Sequence, residues 1–294
     1  MKDYFGYKDK VYVVTGSASG VGKAITEALV DVGATVYALD RNPVDVPGIK
    51  EYIQIDLGSK DSIDDVFQNK LPHKFDQFFG IAGLSGESTP NKVTITVNYV
   101  SNLHIMKEYL PSRLPDGGAV LICSSVGANR WYDPVNKPEL EPLAHAKDWD
   151  ECMKILDYIC TDDLPCGNAY TYSKRVLAYF TMIYACEMSE RKIRVNSLKV
   201  GNAKTGLMPE FRARWMRLHP SKTEEDYDIE YGLGGMAECS EMAEPAIFLN
   251  SNMASYITGA ELIVDYGKDA AVIVGERPDT WIGAKLTHPY PDKN

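Results

Sequence analysis

A tyrosine and a lysine four positions apart could form a proton-transfer pair in this 294-residue chain. They are Tyr170 and Lys174, in the segment NAYTYSK. Residues four apart share one face of a helix, whereas Tyr172 would point to another face. An ordinary tyrosine has a pKa of about 10, so it acts as a base near neutral pH only when positive charge lowers that pKa. The spacing predicts that Tyr170 is the reactive tyrosine, that Lys174 lowers its pKa, and that Tyr172 packs or lines a pocket.

This spacing also arises by chance, and Tyr4 with Lys8 repeats it. That second pair precedes the first predicted strand, so we assign it to the surface. Ser125 follows an apolar segment and could hydrogen-bond a substrate oxygen. Asn98 lies in a helical pattern, where asparagine has poor propensity. The combination of these residues with Tyr170 and Lys174 indicates acid–base chemistry more strongly than the spacing alone.

A glycine-rich turn, TGSASGVG (15–22), separates the first predicted strand from the first predicted helix. Gly16, Gly20 and Gly22 allow a tight turn and a close approach of a pyrophosphate to the backbone. The following helix N-terminus offers free N–H groups to the phosphates. A phosphate loop of the Walker type is excluded, because Ala24 follows Lys23 where such a loop has serine or threonine. The turn is therefore typical of a dinucleotide site.

An acidic residue, Asp40, ends the second predicted strand. Its carboxylate could accept hydrogen bonds from the adenine ribose and would repel a 2′-phosphate. Ser19 occupies a position where a basic residue would help to hold that phosphate. Arg41 could offer the phosphate some positive charge. On balance these residues favour NAD over NADP.

Short apolar segments alternate with helical patterns along the chain, which predicts a single α/β domain over 1–294 with a doubly wound, Rossmann-type parallel sheet. Seven strands are predicted at 10–15, 35–40, 52–56, 78–83, 119–125, 193–198 and 261–267. Helices are predicted at 21–32, 59–69, 93–109 and 170–188.

Three segments lie outside this alternation. Residues 129–167 form an insertion before the Tyr–Lys helix, with early prolines and a short helix around 148–160. Residues 206–235 are the expected substrate-binding loop, and 268–294 are a C-terminal extension. Large aromatic residues could line an apolar pocket or belong to the core or an interface; these are Trp131, Tyr132, Trp149 and Trp215.

The composition excludes several classes of function. The net charge is −10, which argues against nucleic-acid binding. No segment is long enough to be a signal peptide or a membrane span, so we expect a cytoplasmic protein without membrane partners. The six cysteines show no CxxC spacing and lack nearby histidines, so no metal site is expected. Cys123 and Cys186 lie in apolar segments and are predicted to be core thiols.

Together these motifs resemble the classical short-chain dehydrogenase/reductase family from about residue 9 to about residue 268. The carrying segments are the glycine turn, Asp56-Leu57, VGNAKT and EMAEPAIFLNSNMASYITGAELIVDYG (241–267). The resemblance implies that the catalytic residues are Asn98, Ser125, Tyr170 and Lys174. It implies that NAD is bound by Gly16, Ser19, Gly20, Val21, Gly22, Asp40, Arg41, Asp56, Leu57, Ala82, Gly83, Tyr170, Lys174, Gly201 and Thr205. In the family pattern Lys174 also binds the nicotinamide ribose, and Asn98 anchors a water on a proton path.

Three turns depart from the family pattern. They read Gly80-Ile81-Ala82-Gly83, Val200-Gly201 and Asp265-Tyr266-Gly267. The insertion is similar to that of the bacterial 3α-hydroxysteroid dehydrogenase/carbonyl reductases, which implies a steroid-like or bulky carbonyl substrate. Family members commonly form tetramers through the helix that carries the tyrosine, so an insertion there could leave a homodimer in place of a homotetramer.

The resemblance implies an NAD-dependent oxidoreductase that interconverts a secondary alcohol and a ketone, with a hydroxysteroid or bile-acid-like compound as substrate. An oxidoreductase for a smaller, non-steroid alcohol or ketone is an alternative. A non-catalytic NAD-binding regulatory protein is a second alternative, which the presence of all four catalytic residues disfavours.

Overall fold

The computed structural model describes residues 4–160, 168–231 and 235–277. Its centre is a parallel sheet of seven strands: β1 Val11–Thr15, β2 Thr35–Asp40, β3 Glu51–Gln54, β4 Gln77–Gly80, β5 Ala119–Ser125, β6 Arg194–Val200 and β7 Glu261–Val264. The strand order is β3-β2-β1-β4-β5-β6-β7. The order reverses beside β1, and in open α/β sheets ligands bind at the carboxyl ends of the strands that flank such a reversal. The predicted α/β fold with seven parallel strands is confirmed.

The central strands are apolar on both sides, as a sheet covered on both faces requires. Successive side chains of a strand point to opposite faces. In β1, Val13 packs with Phe78 in one core cluster, whereas Tyr12 and Val14 pack with Phe79 in the other. The alternation therefore divides the hydrophobic core into two layers, one on each side of the sheet.

Helices cover both layers. They are α1 Gly20–Asp31, α2 (60–70), α3 (91–113), α4 Lys137–Ala144, α5 Trp149–Ile159, α6 Ala169–Glu187, α7 Met208–Leu218, α8 Glu224–Tyr231, α9 Cys239–Asn250 and α10 Lys268–Ile273. Helices α1 and α9 cover one face, while α2, α3 and α6 cover the other. The predicted helices are found, and the predicted cap of α2 is Ser59, whose hydroxyl accepts a hydrogen bond from the Ser62 N–H at 3.3 Å. No helix in the described ranges has the length and apolar character needed to cross a membrane.

The insertion contains two helices where the sequence predicted one. Helix α5 matches the predicted segment and is capped by Asp148, whose carboxylate accepts a hydrogen bond from the Glu151 N–H at 2.8 Å. Helix α4 was missed because two prolines lie within it. Pro138 lies in the first turn, where a backbone N–H has no partner within the helix. This proline therefore does not oppose helix formation. Residues 161–167 of the insertion lie outside the described ranges.

The insertion is joined to helix α6 by buried polar contacts. The Tyr172 hydroxyl donates a hydrogen bond to the Glu139 carbonyl at 3.1 Å. Arg175 Nη1 donates to Asn136 Oδ1 at 3.0 Å, and the Arg175 side chain is fully buried. Tyr172 is also buried, which confirms that it packs and does not face Lys174.

The two predicted core thiols differ in environment. Cys123 is buried near the end of β5, as predicted, and burial raises the pKa of its thiol. Cys186 is exposed, so its prediction was wrong. The apolar pattern of α6 continues to its last turn, but that turn emerges from the core before Glu187 ends the helix. Tyr4 and Lys8 are exposed, as predicted.

Asp64 connects helix α2 to helix α3. Its carboxylate accepts hydrogen bonds from Lys60 Nζ at 2.7 Å and from the Tyr109 hydroxyl at 2.5 Å, and it contacts His104 Nε2 at 2.6 Å. Burial opposes the ionisation of Asp64, but the hydrogen bonds outweigh it and lower the pKa from 3.8 to about 2. A depressed carboxyl pKa stabilises the fold above pH 4, and this stabilisation is lost as the pH falls toward 2.

We expect Asp64→Asn to lower the free energy of unfolding by about 2 kcal/mol at pH 7 and by about half of that at pH 3. Urea unfolding at the two pH values would measure both losses. Asp65→Asn is the matched control, because Asp65 is exposed and contacts Lys70 and Asn69 on the same helix, and it should change stability little. Equal losses for Asp64→Asn at both pH values would contradict the prediction.

Candidate active site

The glycine turn after β1 is closed so tightly that two of its positions exclude side chains. Gly16 has φ +78°, and a Cβ there would lie 2.8 Å from the Ala82 backbone. A Cβ at Gly22 would lie 2.1 Å from the Gly16 carbonyl oxygen. The Gly16 N–H is anchored by the Leu39 carbonyl at 2.8 Å. The turn therefore brings bare backbone and the start of α1 to the edge of the sheet.

Asp40 at the end of β2 faces this turn. One carboxylate oxygen accepts a hydrogen bond from the Ala18 N–H at 3.0 Å, and the other accepts from the Asn42 N–H at 2.9 Å. These bonds fix the carboxylate and leave lone pairs on both oxygens, since a carboxylate has about four acceptor positions. Asp40 is thus placed where it can accept further hydrogen bonds from a ligand in the cleft.

A cleft of about 800 Å³ runs along the carboxyl ends of the strands. Its lining includes all fifteen residues to which the family resemblance assigns cofactor contacts: Gly16, Ser19, Gly20, Val21, Gly22, Asp40, Arg41, Asp56, Leu57, Ala82, Gly83, Tyr170, Lys174, Gly201 and Thr205. Ser125 also lines it, but Asn98 does not. An extended dinucleotide fits such a cleft, because the cleft runs from the Asp40 carboxylate, over the bare backbone of the glycine turn, to Tyr170.

Two of the turns that depart from the family pattern border the cleft and are held by hydrogen bonds. After β4, the Ile81 and Ala82 N–H groups lie 3.0 and 3.4 Å from the Thr15 hydroxyl oxygen, which holds this turn against the end of β1. After β6, the Gly201 N–H donates to the Val264 carbonyl at 2.8 Å. Ala82 and Val200 both line the cleft.

Helix α6 carries Tyr170 and Lys174 into the cleft. Asn168 caps the helix by accepting a hydrogen bond from the Thr171 N–H at 2.7 Å. Ser125 Oγ and the Tyr170 ring both border Gly127, and the Ser125 hydroxyl accepts a hydrogen bond from the Gly127 N–H at 3.1 Å. Lys174 is buried, and its ammonium donates to the Cys123 carbonyl at 2.7 Å. The carboxyl end of β5 and the first turns of α6 thereby bring together three predicted catalytic residues, Ser125, Tyr170 and Lys174.

The electrostatics of Tyr170 differ from the expectation. Burial raises the pKa of Tyr170, and the nearby Ser125 side chain only partly opposes that rise. Burial also lowers the pKa of Lys174. The ammonium lies 5.8 Å from the centre of the Tyr170 ring, over the ring face. The predicted lowering of the Tyr170 pKa by Lys174 is therefore not found in this arrangement, because desolvation of the phenolate outweighs the nearby charge.

Asn98 lies behind the cleft wall. Its amide oxygen accepts a hydrogen bond from the Leu84 N–H at 2.7 Å, and its amide nitrogen donates to the Leu84 carbonyl and to the Ser173 hydroxyl, each at 3.0 Å. Asn98 falls in a π-helical turn of α3, Thr96–Val100, and such turns are frequent at functional sites. Asn98 therefore braces the loop after β4 against helix α6.

Helix α7 closes the far end of the cleft. The Phe211 ring packs edge-on against Tyr170, with ring centres 4.8 Å apart. Glu210 accepts hydrogen bonds from the Ser85 hydroxyl and from the Ser88 hydroxyl, the latter at 3.0 Å. Helix α7 is thus held against the loop after β4, with apolar side chains next to the tyrosine.

Only one of the four candidate pocket aromatics lines this cleft. It is Trp215, whereas Trp149 is buried against His104 and Tyr132 is half exposed. Trp131 is buried, and its Nε1 donates to Glu261 at 2.9 Å. Trp131 and Trp149 belong to the insertion and its packing, away from the cleft.

Several lining residues were not predicted individually. They are Leu84, Ser85 and Ser88 after β4, and Glu210, Phe211 and Arg214 on α7. The general rule that ligands bind at the carboxyl ends of parallel strands could have pointed to the loop after β4. Within the described ranges, no group of three or more His, Cys, Asp or Glu side chains is placed to hold a metal ion.

Two family models match the chain. The model for short chain dehydrogenases matches residues 10–133, and the model described as enoyl-(acyl carrier protein) reductase matches residues 153–269. The two matches leave residues 134–152, about half of the insertion, between them.

Curated proteins and solved structures give the same picture. The chain is 28% identical over 260 residues to a coniferyl-alcohol dehydrogenase of Pseudomonas sp. (strain HR199 / DSM 7063), covering 88% of this chain and 96% of that protein. It is 29% identical over 266 residues to a 3-alpha-hydroxysteroid dehydrogenase/carbonyl reductase of Comamonas testosteroni, covering 89% and 97%. Its fold is similar to that of the 3-alpha-hydroxysteroid dehydrogenase from Pseudomonas sp. B-0831 complexed with NADH, with a TM-score of 0.71, 24% identity and coverage of 90% and 99%.

Proposed function

The chain belongs to the short-chain dehydrogenase/reductase family, whose dehydrogenases act on CH–OH groups, and from this premise we propose that it is an NAD-dependent oxidoreductase that interconverts a secondary alcohol and a ketone. The observation that carries the proposal is that Tyr170 and Ser125 lie side by side in the cleft that begins at the glycine turn. Both side chains can reach one substrate oxygen from this position.

In the proposed reaction, Tyr170 exchanges a proton with the substrate oxygen, as a base in oxidation and as an acid in reduction. Ser125 donates a hydrogen bond to the same oxygen and holds it beside the phenol. Lys174 is held by the Cys123 carbonyl, lines the cleft and would donate a hydrogen bond to the nicotinamide ribose. When bound, NAD⁺ supplies the hydride acceptor and, on its nicotinamide ring, the positive charge that favours phenolate.

The proposed cofactor site uses the residues that line the cleft. The start of α1 would bind the pyrophosphate, because the first N–H groups of a helix have no partner within it and the glycines let the phosphates approach the backbone. Asp40 accepts from the adenine ribose and disfavours a 2′-phosphate. The remaining predicted contacts, including Asp56, Leu57, Gly201 and Thr205, border the same cleft. This arrangement supports NAD over NADP.

For the substrate we propose a hydroxysteroid or a similarly bulky, bile-acid-like alcohol. The support is the apolar wall that α7 adds beside Tyr170, including Phe211 and Trp215, and the similarity to a hydroxysteroid dehydrogenase/carbonyl reductase. A smaller aromatic alcohol is a second candidate, favoured by the similarity to a coniferyl-alcohol dehydrogenase.

NADH formation at 340 nm tests the proposal. A panel of 3α-hydroxysteroids, coniferyl alcohol and simple cyclic alcohols would be assayed with NAD⁺ and with NADP⁺. We expect the highest kcat/KM for a 3α-hydroxysteroid with NAD⁺. Binding of NAD⁺ without turnover of any alcohol or ketone would instead support a regulatory protein.

We propose that the chain forms a homodimer and not a homotetramer. The support is that α4 packs along α6 and occupies part of the helix surface through which family members commonly assemble. Size-exclusion chromatography with light scattering should give a mass of about twice 32.7 kDa. A mass near four times that value would show that the insertion leaves room for tetramer packing.

A cytoplasmic location is part of the same proposal. Five cysteines, those at 123, 152, 160, 186 and 239, are free thiols. Reducing compartments such as the cytosol preserve thiols in this state.

A further inference from the structure

Arg214 is a cation in the wall of the substrate end of the cleft. It lies on α7, three residues after Phe211, which contacts Tyr170. Its side chain is 25% exposed and lines the cleft. Its ion pair with Glu87 is long, with 3.3 Å between Nη1 and Oε1. A guanidinium carries five N–H donors, and Glu87 is its one ion-pair partner among the described residues, so donors remain for a ligand.

Glu87 is also shared with a second guanidinium. Arg217 Nη2 donates a hydrogen bond to the other carboxylate oxygen of Glu87 at 2.7 Å. Arg217 is largely exposed and is not part of the cleft lining. Two guanidinium groups therefore share one carboxylate, and Arg217 makes the shorter contact with it.

A second acid on this helix keeps its negative charge but makes its contacts with hydroxyl groups and not with Arg214. Glu210 lies four residues before Arg214 on the same helix, a spacing at which Glu and Arg commonly pair. Its two carboxylate oxygens instead accept from the Ser85 and Ser88 hydroxyls. Among the described residues, Arg214 forms an ion pair with Glu87 and none with Glu210.

The remaining lining from α7 is apolar and includes Met208, Phe211, Trp215 and Leu218. A ligand that fits this end needs an apolar body and an anionic group. The planar guanidinium matches a carboxylate particularly well, because two parallel N–H···O bonds form at once.

We propose that Arg214 binds a carboxylate carried by the substrate alcohol or ketone. This inference rests on the proposed function and adds a specificity-determining residue to it. The substrate class becomes hydroxy acids or keto acids with an apolar body. Arg214 orients the molecule from the end opposite its reacting carbon, while Tyr170 and Ser125 hold the reacting oxygen.

Matched acid and ester substrates test the inference. One pair is lithocholate and its methyl ester, and a second pair is 3-hydroxybutanoate and its methyl ester, so that both long and short hydroxy acids are covered. For the wild type we expect kcat/KM to favour the acid of at least one pair by about tenfold, mainly through KM. Added NaCl should reduce this preference, since salt screens charge pairs.

Arg214→Gln should abolish the preference for the acid, so that kcat/KM for the acid falls about tenfold relative to that for the ester. Arg217→Gln is the matched control, because it removes a guanidinium from the same Glu87 cluster outside the cleft, and it should retain the preference. Arg214→Lys should restore only part of it, since an ammonium lacks the planar fork. If Arg214→Gln does not fold, the acid preference of the wild type and its dependence on salt remain as the test.

The outcomes separate this inference from the proposed function. Turnover of uncharged alcohols with no acid preference in either pair, or an unchanged preference in Arg214→Gln, would overturn the role of Arg214 alone. Absence of NADH formation from these four substrates and from the uncharged alcohols would overturn the proposed function and this inference with it.

Discussion

Replacing Tyr170 by phenylalanine is expected to lower kcat for alcohol oxidation by about three orders of magnitude, the range that a positioned acid or base contributes. The phenylalanine ring keeps the packing against Phe211 but cannot carry the proton. NADH formation under saturating cofactor measures the loss. Cofactor binding, followed by the quenching of tryptophan fluorescence, should change little.

Tyr172→Phe is the matched control for this experiment. It removes the same hydroxyl group two residues away, where the hydroxyl bonds to the Glu139 carbonyl outside the cleft. It should keep most of the activity and lower the free energy of unfolding by about 1 kcal/mol, the usual contribution of a buried hydrogen bond. Undiminished turnover in Tyr170→Phe would refute the assignment of Tyr170.

The rates of oxidation and reduction should depend on pH in opposite directions. Burial raises the pKa of Tyr170, so its titration is moved toward alkaline pH. Its basic form therefore becomes more populated as the pH increases across that range. Oxidation, which needs that form, should accelerate across the neutral and alkaline range. Reduction, which needs the protonated form, should slow over the same range.

Asp40→Asn is expected to change the ratio of kcat/KM for NAD to that for NADP by about a hundredfold in favour of NADP. The charge repels a 2′-phosphate, and a hydrogen bond to a charged acceptor is stronger than one to a neutral acceptor. Asparagine keeps an oxygen that can accept from the Ala18 or Asn42 N–H, so the turn should survive. Initial rates with the two cofactors give the ratio.

Asp56→Asn provides the comparison, because Asp56 lines the same end of the cleft and its carboxylate accepts from the Gly58 N–H at 2.8 Å. It should alter the kinetics with both cofactors alike. An equal shift of the ratio in both variants would mean that general charge in the cleft, and not the position of Asp40, sets the preference.

The fold could be predicted from the sequence because its signals are local. The strand residues of β1 are apolar on both faces, and Gly33 follows the end of α1. The hydrophobic pattern and the helix-ending glycine therefore both agree with the structure there. Helix α4 was missed because its two prolines dominate the local pattern, while the stabilising contacts with α6 come from residues distant in sequence. Such contacts cannot be inferred from propensity.

The site was predictable to the extent that it depends on motif spacing. The glycine turn, Asp40, Ser125, Tyr170 and Lys174 all border one cleft. The position of Asn98 behind the wall could not be anticipated, because it depends on where the loop after β4 returns to the helix. The rise in the Tyr170 pKa depends on desolvation, and burial of one side chain is a property of the whole fold. The contribution of α7 likewise depends on pairs such as Glu210 with Ser85, 125 positions apart.

The bonds from Tyr172 and Arg175 to the insertion have a consequence for the cooperativity of local unfolding. Helix α6 cannot open at its first turns without breaking contacts to Glu139 and Asn136, so α4 and the catalytic end of α6 form one foldon. Backbone amides of the two helices should then exchange with solvent at a common free energy of opening. The position of Tyr170 is then maintained within a single subunit, by contacts from the insertion. Part of the insertion lies between the two family-model matches.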